Sequence, residues 1–325
     1  MQMLIGKWVS AAISAVARFA IADHLESGPK TVKELAALTG TLEQPLYRLL
    51  RATASLGVFT ELEDGRFAQT GLSEPLRSSA RPGVRNFAMM LSDEWHVRCW
   101  TELPWSVETG RPAPYKVYGM GGFDWLSQNP GQAVNFNNAM TDLSQDQAPA
   151  IAAAYDFSRF KDIVDIAGGM GTLLAAILER TPALRGTLFE MPYLIEQARK
   201  SPILQPFADR CQWAGGDFFA SVPMADAYIM KSILHDWDDA RATKILANCR
   251  KAMRPGGRLL VVDQVVPPLN EPGVAKLMDL EMLVLPGGLE RTERQFADLF
   301  AAAGFRLERI VPTAGTQCII EGSSA

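Results

Sequence analysis

Several functions are made improbable by what this chain has little of. It carries four cysteines in 325 residues (Cys99, Cys211, Cys249, Cys318), none in a C-x-x-C pair or at metal-ligand spacing. That excludes a disulfide framework and predicts reduced, buried thiols of a cytoplasmic protein. Histidine is scarcer still, at three residues, and none has a second His or Cys at ligand spacing, so no metal is expected. No apolar run reaches 18 residues without interruption, which leaves no candidate membrane span. Basic residues are not in excess: 32 Lys and Arg face 36 Asp and Glu, for a net charge of −4. That balance argues against nucleic acid or an anionic membrane as partner. Internal repeats and low-complexity tracts are absent as well.

What is present is ordinary globular material, 48% hydrophobic and 21% charged, in a length comfortable for two domains. Lys7, the apolar Trp8 to Ala17 and Ala20-Ile21-Ala22 imitate a signal peptide. Arg18 interrupts the run, however, and the amphipathic pattern continues to Leu25, so residues 4–27 are expected to form one helix stopped by Gly28-Pro29. Thr31 can cap a second helix with Glu34 at the capping-box position and Gly40 at its end. A third covers about 42–56, and Asp64-Gly65 joins two short strands as a hairpin. Three helices and a hairpin spell a winged helix. Between Thr31 and Thr70, Lys33, Arg48, Arg51 and Arg66 face Glu34, Glu43, Glu61, Glu63 and Asp64. A groove-binding helix needs phosphate partners that this balance does not supply, which favours a protein–protein platform over DNA binding.

From 81 to 155 the chain is expected to be mostly helical and rich in Met, Trp and Phe, including Phe136 and Met140. Most of these suit a core, and a few suit an aromatic ligand's pocket. A helix over about 139–155 should join the halves, with the domains at 1–155 and 156–325. The second half alternates strand and helix, with later strands expected at 225–230, 258–263, 305–311 and 316–321. Helices are expected at 238–253 and 292–303, with Gly256-Gly257 as a stop. This is the pattern of a doubly wound α/β sheet, whose ligands bind beyond the C-terminal ends of the strands. Asp165, Glu190, Asp217, Lys231, His235 and Asp263 all fall near such ends.

The richest stretch is Asp162-Ile-Val-Asp-Ile-Ala-Gly-Gly-Met-Gly171. A buried strand runs into a turn crowded by Gly168, Gly169 and Gly171, and a helix follows over 172–180. Glycines let a ligand lie against bare backbone. Glu190, roughly 20 residues further on at the end of the next strand, suits a ribose hydroxyl. The dinucleotide fingerprint G-x-G-x-x-G fails, at Leu174 from Gly169 and at Met170 from Gly168, and no P-loop lysine is present. A nucleoside without pyrophosphate, S-adenosylmethionine above all, fits better; a tight turn that binds nothing is the plainer alternative. In Gly215-Gly-Asp217-Phe218-Phe219, Asp217 can accept from an adenine amino group while Phe218 covers the ring. Taken alone, a loop turn explains those residues as well. Lys231-Ser-Ile-Leu-His235-Asp-Trp237-Asp-Asp places an imidazole after a strand end, where it can take a hydroxyl proton near neutral pH. The Asp run there reads as helix capping.

Taken in order, Val164-Asp-Ile-Ala-Gly-Gly-Met-Gly171, Gly-Gly-Asp217-Phe-Phe, Leu-His235-Asp-Trp-Asp-Asp, Arg254-Pro-Gly-Gly and Gly287-Gly-Leu-Glu290-Arg-Thr resemble one family. It is that of the S-adenosylmethionine-dependent O-methyltransferases of the plant caffeate and bacterial polyketide-tailoring type. The resemblance covers essentially the whole chain and implies a Rossmann-like methyltransferase sheet with an N-terminal, mostly helical winged-helix dimerisation domain. It implies that Gly168, Gly169 and Gly171, with Asp165 beside them, hold the cofactor's methionine portion, Glu190 its ribose, and Asp217 and Phe218 its adenine, while Lys231 and Trp237 border it. It makes His235 the general base, flanked by Asp263 and Glu290, with Phe136, Met140 and Met282 lining the acceptor pocket. S-adenosylhomocysteine is then the second product, no metal is needed, and the partners are an aromatic acceptor and a second copy of the chain. Three positions depart from the pattern. Ala167 stands where a third glycine is usual, Glu190 replaces Asp, and Asp263 replaces Glu and is one methylene shorter.

The expected reaction is methylation of a hydroxyl on an aromatic small molecule. The alternative keeps fold and cofactor but diverts the pocket to hydroxylation, decarboxylation or a pericyclic reaction. A ligand-sensing DNA-binding regulator would rest on the winged helix alone, against its acidic balance.

Overall fold

A computed structural model describes Met1 and residues 3–325. Its compact units are Met1–Thr101 with Leu126–Asp146, and Glu102–Trp125 with Gln147–Ala325. Compactness thus divides the chain at other points than a single cut after residue 155.

The first unit opens with α1 (Gly6–Arg18) and α2 (Ile21–His24), not the single helix expected over 4–27. Ala20 between them lies in the left-handed region at φ +51° and breaks the ladder. The apolar period runs straight across this break, since Val16, Ala17, Ile21, Ala22 and Leu25 share one core. Periodicity therefore concealed it. Next come β1 (Lys30–Thr31), α3 (Val32–Thr39), α4 (Glu43–Ser55), β2 (Phe59–Glu61) and β3 (Arg66–Gln69). Thr31 and Glu34 form the reciprocal capping box, and Gly40 ends α3 at φ +68°. The hairpin closes over Asp64-Gly65, and β1 adds a third strand in the order β1-β3-β2. Leu35, Leu46, Leu50, Phe59 and Phe67 fill the space beneath it. Then follow α5 (Arg85–Met90) and α6 (Glu94–Trp100), and in the second unit α7 (Leu103–Thr109) and α8 (Pro114–Tyr118). α9 (Gly122–Gln128) and α10 (Pro130–Ala154) contribute residues to both units, and α10 begins well before the expected residue 139.

The sheet of the second unit is built from β4 (Asp162–Ile166), α11 (Thr172–Arg180), β5 (Arg185–Glu190), α12 (Pro192–Ala198), β6 (Cys211–Gly215), β7 (Ala225–Lys231) and α13 (Asp239–Ala252). It continues through β8 (Met253–Asp263), α14 (Ala275–Val284), α15 (Glu293–Ala302), β9 (Phe305–Pro312) and β10 (Cys318–Ser324). The seven strands lie in the order β6-β5-β4-β7-β8-β10-β9. The first five are mutually parallel, and β10 runs antiparallel to β8 and β9.

Alternate residues of the central strands face two cores. Ile163, Leu188, Ile229, Leu260 and Val262 pack with α11; Val164, Ile166, Tyr228, Met230, Leu259 and Val261 pack with α13 and α15. Burial on both faces explains why these strands read as unbroken apolar runs, each large side chain contributing roughly 1.5–3 kcal/mol. One expectation fails here. Gly256-Gly257 lies inside β8, in a register shift against β7, and does not end α13. Gly257 has no room for a Cβ against the carbonyl oxygen of Asp226, so that irregularity is what demands glycine.

Candidate active site

The parallel strands end together, and main-chain bonds hold their loops side by side: Ala167 N–H to Phe189 O, Gly216 N–H to Glu190 O, and Ser232 N–H to Val262 O, each 2.8–2.9 Å. The turn after β4 is shaped by what glycine alone permits. A Cβ on Gly168 would overlap the Asp165 carboxylate and Leu188, whereas one on Gly169 would meet nothing within 4 Å. The turn is thus tight behind and open in front, as a backbone cradle for a ligand must be. Ala167 adopts φ +53°, the left-handed conformation that a glycine would take without strain.

Asp165 is buried beneath this turn with Oδ2 lacking a hydrogen-bond partner, and burial drives its pKa up to about 7. Burial raises Glu190 to about 7 also, against the pull of the Met191 and Gly169 N–H groups. Lys231 donates to Gln147 Oε1 at 3.3 Å, and enclosure lowers its pKa despite Asp165 and Asp263. Asp217 accepts from Phe219 N–H at 2.8 Å, and Phe218 and Phe219 meet the Trp237 ring edge-on at 6.1 and 4.9 Å. Carboxylates for hydroxyl groups, an acid beside aromatic rings for a purine, and an open glycine turn are the donor and acceptor set of a nucleoside amino acid. The residues present fit S-adenosylmethionine.

After β7 a short 3-10 turn, Leu234–Asp236, carries His235. Its Nδ1 lies 2.7 Å from Glu290 Oε1, and its side chain is 13% exposed. A proton shared between Nδ1 and the carboxylate leaves Nε2 as the nitrogen that can accept another. Asp236 Oδ1 is 3.6 Å from Nε2, beyond hydrogen-bond length. Burial alone would lower the imidazole pKa, but Asp236, the bond to Glu290 and the charge of Asp263 outweigh it and raise it to about 9. Burial also raises Asp236 to about 6 and Asp263 to about 7. Both oxygens of Asp263 and Oε2 of Glu290 are buried without partners, an unusual concentration of unmet acceptors.

His235, Asp263 and Glu290 are therefore brought together, as are Asp165, the glycine turn, Glu190 and Lys231 near the same edge of the sheet. Phe136 and Met140 lie one turn apart on α10 in the first unit, and Phe136 packs edge-on to Trp95 at 6.4 Å. Met282 is buried on α14 in the second unit. Two residues went unread in the sequence. Asp238 does cap α13, accepting from Arg241 N–H at 2.8 Å, but Asp236 faces the imidazole instead. Gln147, which meets Lys231, carries no signal in the chain at all. Among the described residues no group of three or more His, Cys, Asp or Glu could hold a metal ion, and no helix is long and apolar enough to cross a membrane.

Comparison with known proteins shows the family. Residues 100–306 match the model of an O-methyltransferase domain, and residues 1–79 that of an O-methyltransferase dimerisation domain. A phenazine O-methyltransferase of Lysobacter antibioticus is 44% identical over 322 residues, covering 99% of this chain and 94% of its own length. A mitomycin biosynthesis 6-O-methyltransferase of Streptomyces lavendulae is 41% identical, covering 98% and 92%. The crystal structure of an O-methyltransferase from neocarzinostatin biosynthesis, with S-adenosylmethionine and 2-hydroxy-5-methyl naphthoic acid, superposes with a TM-score of 0.81 at 31% identity, covering 98% and 96%. These relatives are methyltransferases, and none supports the alternative of hydroxylation, decarboxylation or pericyclic chemistry. With well over half its length matched by the domain model and near-complete coverage by curated relatives, this chain belongs to the O-methyltransferase family.

Proposed function

We propose that this enzyme methylates a hydroxyl group of an aromatic small molecule, with His235 as general base. The observation that carries the reading is the His235–Glu290 pair at 2.7 Å, set among buried acids beside an open glycine turn. Bound at that turn, S-adenosylmethionine supplies an electrophilic methyl group on a sulfonium, and S-adenosylhomocysteine is released. Gly168, Gly169, Gly171 and Asp165 hold the methionine portion, Glu190 the ribose, and Asp217 and Phe218 the adenine, bordered by Lys231 and Trp237. His235 receives the hydroxyl proton at Nε2 while Glu290 holds Nδ1–H, and Asp263 and Asp236 compensate the imidazolium charge. The rest of the catalysis is positioning of the acceptor oxygen in a near-attack geometry. As acceptor contacts we propose Phe136, Met140 and Met282, for the match between flat rings, flexible thioethers and an aromatic ligand.

The enzyme acts as a homodimer through its N-terminal region. In support, residues 1–79 match a dimerisation domain, and Leu4 and Trp8 expose 81% and 71% of their surface. Its four thiols suit a reducing compartment, the cytoplasm.

The test is His235→Ala assayed with labelled S-adenosylmethionine and a panel of phenols. Turnover should fall by roughly a hundredfold or more, less for acidic phenols that ionise unaided, with cofactor affinity little changed. The reading needs no metal, so a chelator should leave turnover as it was. Unchanged turnover in the variant removes the base assignment. Loss of stability and cofactor binding together would assign His235 a structural role.

A further inference from the structure

Arg291 directly follows Glu290, and its charged side chain is only 1% exposed. Burying a guanidinium is costly unless its donors are met, and here all five N–H groups find acceptors. Nη1 donates to Leu234 O at 2.9 Å and to Leu289 O at 3.5 Å. Nη2 donates to Trp237 O at 2.9 Å and to Asp239 Oδ1 at 2.8 Å, and Nε donates to the same carboxylate oxygen at 3.0 Å. Leu234 and Trp237 bracket His235. One planar cation therefore grips the backbone on both sides of the imidazole, the start of α13 and the loop that carries Glu290.

Two neighbours close the arrangement. Gly288 lies against the same turn, so near that an added Cβ would overlap the carbonyl oxygen of His235 and the backbone of Asp236 and Trp237. The backbone carbonyl of Arg291 accepts from Val266 N–H at 3.0 Å, tying the loop to the segment just beyond Asp263. A lysine could not reproduce this, since a single ammonium cannot span two carbonyls and a carboxylate in a fixed fork.

We propose that Arg291 is the positioning residue of the proton-transfer centre, holding the His235 imidazole against Glu290 through the main chain on either side of it. This rests on the base assignment above and adds to it a residue that touches neither acceptor nor cofactor. The guanidinium fixes the distance between the two carbonyls, and with it the place of the imidazole; small misplacements of reacting groups cost up to about a hundredfold in rate.

The experiment compares Arg291→Lys and Asp239→Asn with the unaltered enzyme. Asp239 is 72% exposed, so its variant keeps the fold while weakening one anchor of the guanidinium from a charged acceptor to a neutral one. The readouts are the ring-nitrogen resonances of His235 in protein labelled with 15N-histidine, the pH profile of kcat, and cofactor affinity by calorimetry. Arg291→Lys should lower kcat about ten- to a hundredfold, displace the His235 nitrogen signals and shift the ascending limb of the pH profile, with cofactor affinity little changed. Asp239→Asn should move the same signals in the same direction by less. Placed on His235→Ala, Arg291→Lys should lower turnover no further. The proposal is overturned by unmoved His235 signals in either folded variant, or by an equal loss of turnover in the His235→Ala background. If His235→Ala keeps full turnover, the base assignment fails by itself, and the nitrogen resonances still judge the clamp.

Discussion

Glu290→Gln tests the electrostatics of the site more sharply than removal of the His235 imidazole does. The carboxylate lies 2.7 Å from His235 Nδ1 and its side chain has no exposure, so its charge acts on the imidazole with little screening. A hydrogen bond to a charged group contributes about 1.5–3 kcal/mol, and one pKa unit corresponds to about 1.4 kcal/mol. The imidazole, held at about 9, should therefore fall by about one to two units in the variant. At pH 7 the neutral, proton-accepting fraction would rise from about 1% to between roughly 10 and 50%. The amide still accepts from Nδ1–H and preserves the tautomer, but the weaker base lowers the rate once all the imidazole is neutral. The kcat/KM profile should thus start its rise at lower pH and level off lower, by at most about ten- to a hundredfold. Near neutrality the variant should equal or exceed the unaltered enzyme, and above pH 9 it should fall below it. Product formation from labelled S-adenosylmethionine between about pH 6 and 10 measures this. A lowered plateau with an unmoved limb would refute the claim that Glu290 holds the imidazole's charge.

Gly168→Ala should abolish cofactor binding and cost several kcal/mol of stability, because its Cβ overlaps the Asp165 carboxylate and Leu188; Gly169→Ala meets no atom and should fold, strained only at its φ of +57°. Calorimetry and thermal melts on the pair distinguish the two sides of the turn. Asp165, Glu190 and Asp263 all titrate near 7 when folded, well above ordinary carboxyl values. Their contribution to stability is complete below their unfolded values and is lost as pH rises through 7. His235, raised to about 9, contributes likewise below its unfolded value and loses that contribution as pH rises through 9. The ligand-free melting temperature should therefore decline from pH 5 to pH 9, and a rise over that interval would contradict the burial of these groups. Trp8→Asp should convert the proposed dimer to monomer at micromolar concentration by light scattering; a variant that stays dimeric would put the interface elsewhere.

Local chemistry made much of this protein legible from its residues alone. The capping box at Thr31 and Glu34, the turn at Asp64-Gly65, the strand Asp162–Ile166 and the helix Thr172–Arg180 stand where spacing predicts them, because each depends on neighbours within a few residues. Glycines 168, 169 and 171 form the turn after β4 for the same reason. Where a local signal met a tertiary demand, the local one lost. The left-handed Ala20 splits a helix whose apolar period is continuous, and Gly256-Gly257 serves a bulge beside Asp226 in place of a helix stop. The pairing of His235 with Glu290 belongs wholly to the tertiary level. His235 and Glu290 are 55 residues apart in the chain, and nothing in their spacing sets a hydrogen bond. The parallel pairing of β7 and β8 brings His235 and Asp263 to one edge, while the bridge between Val265 and Arg291 and the buried fork of Arg291 bring the Glu290 loop to them. Asp236 reads as one more acid in a capping run; only burial against an imidazole gives it a part in holding that group's charge.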